Sequence, residues 1–234
     1  MSDCVWLHGT GLNGLHWGPE AAGGLWPELP GHGAAPRAGG TVAAYAEALA
    51  PSLPSRFAIV GHSLGGMVAM ALAARLPARC RALILVDVPL SLPDWMPKRL
   101  GVWTSPVFAR FPGPVGFARM MARRTANEAA RPAIRDRIKA MDRGGFQDAM
   151  VATARFDGRP LLSRLAMPVL CLLGRDSMLT GQMERRAYAD LPNAELAEID
   201  AGHMLPFDAP DTIDPIMTRF LEMHSCPRFY PFTA

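Results

Sequence analysis

One short stretch constrains this chain more than any other: an apolar segment that ends in Gly61-His62-Ser63-Leu64-Gly65 and continues directly into a second apolar segment. The pattern predicts a buried strand over residues 57–60, a sharp turn at Ser63 and a helix over residues 67–76. Such a turn leaves no room for side chains two positions before or after the serine, and glycine occupies both positions. The N-terminus of the helix would point at the hydroxyl, where its dipole favours negative charge. We therefore expect Ser63 to act as a nucleophile.

Alternating strand and helix patterns lie on both sides of this turn, which predicts a mostly parallel sheet covered by helices. Residues 81–88 form a continuous apolar run, as expected for a strand buried on both faces. A short edge strand is predicted at Leu25–Leu29, where Pro27 restricts regular pairing. Further strands are predicted at 4–7, 168–174 and 194–199, and helices at 41–50, 182–191 and 211–224. Thr41 is the predicted N-cap of its helix.

The alternation stops between Pro89 and Arg159, where no strand pattern is found. This segment is rich in Met, Phe and Arg and is broken by several prolines, and it predicts an inserted helical cap over residues 89–159. The core would then comprise residues 1–88 and 160–234. Methionine and aromatic side chains of a cap can line an adaptable apolar pocket, or they can simply pack the cap onto the core.

Composition excludes several classes of protein. Half of the 234 residues are hydrophobic and 19% are charged, which argues against a disordered chain. The net charge is +3 and no long basic run is present, so no nucleic-acid partner is expected; the arginines between Arg119 and Arg143 are interpreted as a solvated helical face. No apolar run approaches the roughly 20 residues that span a bilayer, and no signal peptide is visible, so a cytoplasmic protein without a membrane partner is expected.

The four cysteines are widely and irregularly spaced, which matches neither a zinc site nor a disulfide framework. They are Cys4, Cys80, Cys171 and Cys226. Three of them lie in or beside apolar segments, which predicts buried small side chains. This pattern suits a reducing compartment.

Several motifs, taken in order, resemble the α/β-hydrolase family. They are His8-Gly9-Thr10-Gly11, Leu29-Pro30-Gly31-His32-Gly33, the Ser63 turn, the strand from Leu83 to Asp87, the strand from Pro168 to Gly174, and Gly202-His203. The resemblance implies that family's fold and its chain order of serine, acid and histidine. The family normally has two strands before the His-Gly loop, which here begins at residue 8. We therefore expect a sheet of about six strands without those first two.

The resemblance also assigns roles to individual residues. His203 would be the general base for Ser63, and the backbone N–H groups of Thr10 and Leu64 would form the oxyanion hole. His8, His32 and His62 match motif positions too, and we interpret them as residues that pack loops. No metal or organic cofactor is implied, because a catalytic triad with an oxyanion hole supplies the required chemistry.

The acid departs from the family pattern. The family usually has Gly-x-x-Asp after the strand, but this chain has Gly174-Arg175-Asp176-Ser177. A small adjustment of the turn would let Asp176 serve, and this is the favoured assignment. The alternative is Asp87 at the end of the preceding strand, where some family members carry their acid. A carboxylate buried at a strand end needs a charged or hydrogen-bonded partner.

The predicted function is hydrolysis of a small-molecule carboxylic ester with an apolar acyl group, through an acyl-enzyme on Ser63. The same groups would serve a lactone, a thioester, an amide, a carbon–carbon bond or acyl transfer. Methyl-ester cleavage on a carrier-bound acyl chain, as in the pimeloyl-ester esterases, is a further alternative, and the basic segment from Arg119 to Arg143 would favour an acidic carrier protein. A non-catalytic ligand-binding protein on the same scaffold remains a separate alternative.

Overall fold

In the computed structural model, residues 3–17, 23–92 and 113–224 are described. The proline-broken part of the predicted cap at residues 93–112 lies outside these ranges, as do the C-terminal tail from residue 225 and Cys226. The other three cysteines are buried, as the sequence predicts, and none of them forms a disulfide within the described ranges.

A parallel sheet forms the centre of the fold. Its five strands within the described ranges are β1 (Cys4–Leu7), β2 (Phe57–His62), β3 (Cys80–Val86), β4 (Val169–Gly174) and β5 (Ala194–Ile199). The strands lie side by side in chain order, and each pairs in parallel with the next. All carboxyl ends therefore meet at one edge of the sheet.

The edge strand predicted at Leu25–Leu29 is reduced to a single bridge beside β1. Leu25 donates its N–H to the Cys4 carbonyl and accepts from the Trp6 N–H, both at 2.8 Å. The described sheet thus has five strands and one bridge instead of about six strands. The reason is that Pro27 and Pro30 carry no N–H group with which to extend the ladder.

Helices cover both faces of the sheet and fill the connections. They are α1 (Val42–Leu49), α2 (Leu64–Arg75), α3 (Gly113–Arg124), α4 (Arg131–Lys139), α5 (Arg143–Arg155), α6 (Arg159–Leu162), α7 (Gln182–Ala189), α8 (Leu205–Asp208) and α9 (Pro210–His224). Short 3₁₀ turns lie at Gly14–Trp17, Ala50–Ser52 and Glu128–Ala130. Thr41 caps α1 as predicted, because its hydroxyl accepts the Ala44 N–H at 3.1 Å. None of the helices in the described ranges is both long enough and apolar enough to span a membrane.

Neighbouring residues of each central strand face opposite sides of the sheet, so the sheet separates two apolar cores. Ile59, Leu83 and Cys171 belong to the core under α1, α2 and α7. Val60 and Ile84 belong to the core under α9. Burial on both faces explains why these strands are apolar along their whole length.

Helices α3 to α6 are inserted between β3 and β4. Residues of α3 and α4 form a third small core with Leu12, which follows β1, and with Met204, which follows His203. Helix α5 lies so close to the core that a Cβ atom on Gly145 would come within 2.1 Å of the Gly31 carbonyl oxygen. The insert is thus fixed above the carboxyl edge of the sheet.

Candidate active site

Ser63 occupies the turn between β2 and α2 in a strained backbone conformation. Its φ of 53° and ψ of −122° are unusual for a residue with a side chain. A Cβ on Gly61 would lie 2.5 Å from the Gly65 carbonyl oxygen, and one on Gly65 would lie 2.4 Å from the His8 carbonyl oxygen. Both glycines are therefore required by close backbone contacts, as the sequence pattern predicts.

His203 lies on the loop between β5 and α8 and contacts Ser63. Its Nε2 atom is 3.1 Å from the Ser63 hydroxyl oxygen, and its Nδ1 atom is 2.6 Å from Oδ2 of Asp87. The imidazole is buried, with 6% of the residue surface exposed. Both distances are within hydrogen-bond reach, as expected between a nucleophile and its base and between that base and the group that orients it.

The carboxylate beside His203 belongs to Asp87, so the preference for Asp176 is corrected. Asp87 follows β3 directly, is fully buried and has a φ of 46°. Asp176 is exposed, and its N–H donates to the Ala201 carbonyl at 3.2 Å. The turn after β4, closed by a bond from the Ser177 N–H to the Gly174 carbonyl, directs position 177 inward and position 176 to solvent. The one-residue slip in the sequence therefore turns Asp176 away from His203.

The carboxylate of Asp87 takes part in four hydrogen bonds within the described part of the chain. Oδ1 accepts from the Gly174 N–H at 2.9 Å and from the Thr180 hydroxyl at 2.7 Å. Oδ2 accepts from the Ser177 hydroxyl at 2.6 Å and faces His203 Nδ1. Burial raises the pKa of Asp87, but the hydrogen bonds from His203, Ser177 and Gly174 outweigh it and leave the pKa below its ordinary value. The carboxylate is thus held ionised.

Helix α7 holds the chain just after Asp87. The Tyr188 hydroxyl donates to the Val88 carbonyl at 2.8 Å, and the Glu184 carboxylate accepts the Leu90 N–H at 3.1 Å. Both side chains are buried. These contacts stabilise the exit of β3 and hence the unusual φ of Asp87. No motif or pattern in the sequence marks Glu184 or Tyr188, whereas Ser177 stands where the family usually places its acid.

Two buried histidines shape the loop after β1, as predicted. His32 Nε2 accepts the Gly11 N–H at 2.9 Å, and His8 Nε2 accepts the Leu29 N–H at 3.1 Å. Burial lowers the pKa of His32 to about 3, so its ring is neutral and free to accept. The loop residue Gly9 approaches Ser63 closely, since a Cβ on it would lie 3.5 Å from the Ser63 Cβ.

The two predicted oxyanion-hole residues lie on either side of Ser63. Thr10 belongs to the loop after β1, which is adjacent to β2 in the sheet, and it lines the cavity in front of the serine. Leu64 is the first residue of α2, where helical N–H groups have no partner within the helix. The arrangement is suited to binding an oxyanion, and the role of the two N–H groups stays a prediction.

His62 connects the Ser63 turn to the loop that carries His203. Its Nε2 is 2.9 Å from the His203 carbonyl oxygen, and the two rings lie 4.9 Å apart. Burial, together with a smaller effect of the nearby His203, lowers the pKa of His62 to about 3. The ring is therefore neutral, and Nε2 donates to the carbonyl.

A cavity of about 100 Å³ opens in front of Ser63 and His203. Its wall is largely apolar, and Arg124 provides a cation there. The apolar wall residues are Leu12, Leu92, Phe117, Met120, Met121, Ile138, Met150, Ala154, Met178, Leu179 and Met204. Four of these are Met or Phe side chains of α3 and α5, so the insert contributes to the pocket as well as to packing.

A comparison with models of protein families identifies the family of this chain. Residues 4–214 match the model of the alpha/beta hydrolase family. The chain belongs to the α/β-hydrolase family, as the ordered motifs predicted.

Several individual proteins are similar to this chain in sequence or in structure. The chain is 30% identical over 226 residues to the pimeloyl-[acyl-carrier protein] methyl ester esterase of Chromobacterium violaceum, a match that covers 88% of each chain. The enzyme of the same name from Aromatoleum aromaticum is 43% identical over 90 residues, which is 36% of each chain. A thermophilic esterase from Thermogutta terrifontis shares the fold, with a TM-score of 0.82 and 24% identity over 94% of this chain and 89% of that one. Together with the family match, these relatives support the predicted class, a carboxylic ester hydrolase.

Proposed function

We propose that this chain hydrolyses a carboxylic ester through an acyl-enzyme on Ser63, with His203 as general base and Asp87 as the acid of the triad. One observation carries the proposal: a continuous hydrogen-bonded path from the Ser63 hydroxyl through both nitrogens of His203 to a buried, ionised carboxylate. Serine, base and orienting acid in this geometry activate a hydroxyl that is otherwise a poor nucleophile.

In the first half-reaction, His203 Nε2 takes the Ser63 proton while Oγ attacks the ester carbonyl carbon. The N–H groups of Thr10 and Leu64 bind the oxygen as it becomes negative. The C–O bond to the alcohol then breaks, and His203 returns the proton to the departing alcohol. A water molecule repeats the sequence on the acyl-enzyme, which releases the acid and restores the serine. Asp87 holds the imidazole in the tautomer that both steps need.

We assign residues 89–159 as a cap over the core formed by 1–88 and 160–234. The described helices of this insert place Phe117, Met120 and Met121 in the wall of the cavity in front of Ser63. Flexible methionine side chains suit an apolar group of variable shape. The acyl group of the substrate is accordingly apolar along the part that lies in the cavity.

A more specific candidate is methyl-ester cleavage on an acyl chain attached to a carrier protein. The relatives named above carry that activity in their names. In addition, residues 113–143 contain eight Lys and Arg and only three Asp and Glu, although the whole chain has a net charge of only +3. Helix α3 presents the exposed Arg119 and Arg123, and Arg124 reaches the cavity wall. This charge near the cavity favours an acidic carrier.

A fluorophosphonate probe tests whether Ser63 is an active nucleophile. We expect one covalent label per chain, located at Ser63 by peptide mass spectrometry, and hydrolysis of short-chain p-nitrophenyl esters. Ser63→Ala should neither label nor turn over, while Ser52→Ala, which removes an ordinary turn hydroxyl far from the cavity, should do both. A folded wild-type protein that does not label would favour the non-catalytic alternative.

Charge reversal on α3 tests the carrier-protein candidate. Arg119→Glu/Arg123→Glu is expected to raise KM about tenfold or more for a carrier-bound methyl ester at low salt, because attraction to an acidic partner becomes repulsion. The KM for a short soluble methyl ester should stay within about twofold, since no carrier is involved. Arg56→Glu/Arg75→Glu has the same net charge change on exposed residues away from the insert and is the matched control. Equal effects of both pairs would contradict docking on α3.

A further inference from the structure

Two hydroxyl groups on the turn after β4 contact Asp87 instead of the space in front of Ser63. Ser177 reaches Oδ2 at 2.6 Å and Thr180 reaches Oδ1 at 2.7 Å. Their neighbours Met178 and Leu179 are among the described residues that line the cavity. Ser177 and Thr180 are not among them. They therefore have contact with the acid without access to a substrate in the cavity.

The surroundings of Ser177 fix the direction in which its proton points. Its Oγ accepts the N–H groups of Leu179 at 3.2 Å and Thr180 at 3.3 Å. Because those bonds use the oxygen as an acceptor, the hydroxyl proton is left for Asp87. A distance of 2.6 Å is typical of a hydroxyl that donates to an ionised carboxylate.

Asp87 needs such partners more than an ordinary acid would. It is fully buried, and a buried carboxylate is costly unless several donors compensate for the lost water. Each of its oxygens receives one hydroxyl in addition to its other partner, so the carboxylate plane cannot rotate without breaking short bonds. One oxygen is thereby kept directed at His203 Nδ1.

We propose that Ser177 and Thr180 are positioning residues, which hold the Asp87 carboxylate ionised and aligned with His203. This inference rests on the proposed catalytic roles of Ser63, His203 and Asp87. The turn after β4 supplies the hydrogen-bond donors that make an acid at the end of β3 usable. Position 177 also lies close enough to His203 to carry the acid itself.

The closeness of position 177 to His203 follows from bond geometry. The Oγ atom of a serine and the Cγ atom of an aspartate are both bonded to Cβ and occupy the same region. An aspartate at 177 would place a carboxylate oxygen about 1.2 Å beyond the present Oγ. Directed along the present hydrogen bond, that oxygen would lie about 1.4 Å from the position of Asp87 Oδ2 and would overlap it, and Oδ2 itself lies 2.6 Å from His203 Nδ1. The space becomes free only if the side chain at 87 is removed.

The first experiment compares loss of the hydroxyls with their conservative replacement. Ser177→Ala/Thr180→Val is expected to lower kcat about 100-fold on a short p-nitrophenyl ester, about tenfold for each charged hydrogen bond, with KM within about threefold. Ser177→Thr/Thr180→Ser keeps both hydroxyls and should stay within about fivefold of wild type. Ser52→Ala/Thr212→Val is the matched control on exposed residues. Retention of kcat within threefold by the first variant would overturn the positioning role.

The second experiment moves the acid and does not depend on the stability of the first variant. Asp87→Gly, which suits the φ of 46°, should lower kcat about 10³-fold, and adding Ser177→Asp should recover at least tenfold. No recovery in a folded double variant would contradict the geometry inferred for position 177. An Asp87→Gly variant with unchanged kcat would instead refute the proposed triad, so the two failures are distinguishable.

Discussion

Asp87→Asn is expected to lower kcat about 10³- to 10⁴-fold on a short-chain ester, while KM changes little. Asparagine has the same shape as aspartate and tolerates the φ of 46° at this position, so the backbone has no reason to move. The amide carries no charge to stabilise the imidazolium that forms on His203. Its NH₂ group also favours the imidazole tautomer with the proton on the wrong nitrogen. The measurement is steady-state kinetics on protein whose thermal unfolding matches that of the wild type.

Asp176→Asn is the matched control, since it makes the same chemical change on the exposed side of the turn after β4. It should leave kcat within about twofold. If the large loss appeared at Asp176 and not at Asp87, the hydrogen bond between Asp87 and His203 would have no catalytic meaning. The assignment favoured by the sequence would then be restored.

This contrast shows which part of the site is readable from sequence. The Ser63 turn was predictable because its requirements are local: an apolar strand, glycines where no side chain fits, and an apolar helix. The carboxylate that contacts His203 was not predictable from sequence, because its identity depends on the directions in which two side chains in separate turns point. A one-residue slip after β4 reverses that direction for Asp176, and an aspartate adopts a positive φ too rarely for its residue type to predict the backbone of Asp87.

The strands of the sheet also differ in how well the sequence predicts them. The predicted strands at 4–7 and 194–199 coincide with β1 and β5. The central strands β2, β3 and β4 agree with their predicted ranges within two residues at each end, because buried apolar runs mark them clearly. The edge strand predicted at Leu25–Leu29 forms only one bridge to β1, because pairing there depends on where the prolines, which carry no N–H group, lie relative to β1. The hydroxyls of Ser177 and Thr180 were also not predicted, because an isolated serine or threonine in a turn usually serves only the local backbone.

The parallel order of the strands explains how distant residues converge. Thr10, Ser63 and Asp87 each follow a strand, β1, β2 and β3 in that order, and His203 follows β5. Parallel strands bring all these carboxyl ends to one edge, which is where ligands bind in open α/β sheets. The acid therefore can be supplied from β3 or from the turn after β4, since these two strands are neighbours.

Gly65→Ala is expected to destabilise the fold by about 3 kcal/mol, at the upper end of the range for inserting an atom into a packed interior. The new Cβ would lie 2.4 Å from the His8 carbonyl oxygen and 2.5 Å from that of Leu7. Both atoms belong to the backbone of β1 and the loop that follows it, so no side chain can rotate away to make room. Helix α2 would have to separate from β1, and the loop that carries Thr10 would move away from Ser63.

Equilibrium unfolding in urea, followed by circular dichroism, measures the loss, and the ester assay on residual folded protein measures the effect on turnover. Gly181→Ala is the matched control, because its Cβ would meet only Glu184 Oε2 at 4.0 Å. It should cost less than about 1 kcal/mol, as expected for a helix N-cap glycine that meets no steric obstacle. A Gly65→Ala protein as stable as this control would mean that α2 and β1 do not approach as closely as described, and the oxyanion-hole assignment of Thr10 and Leu64 would lose its geometric basis.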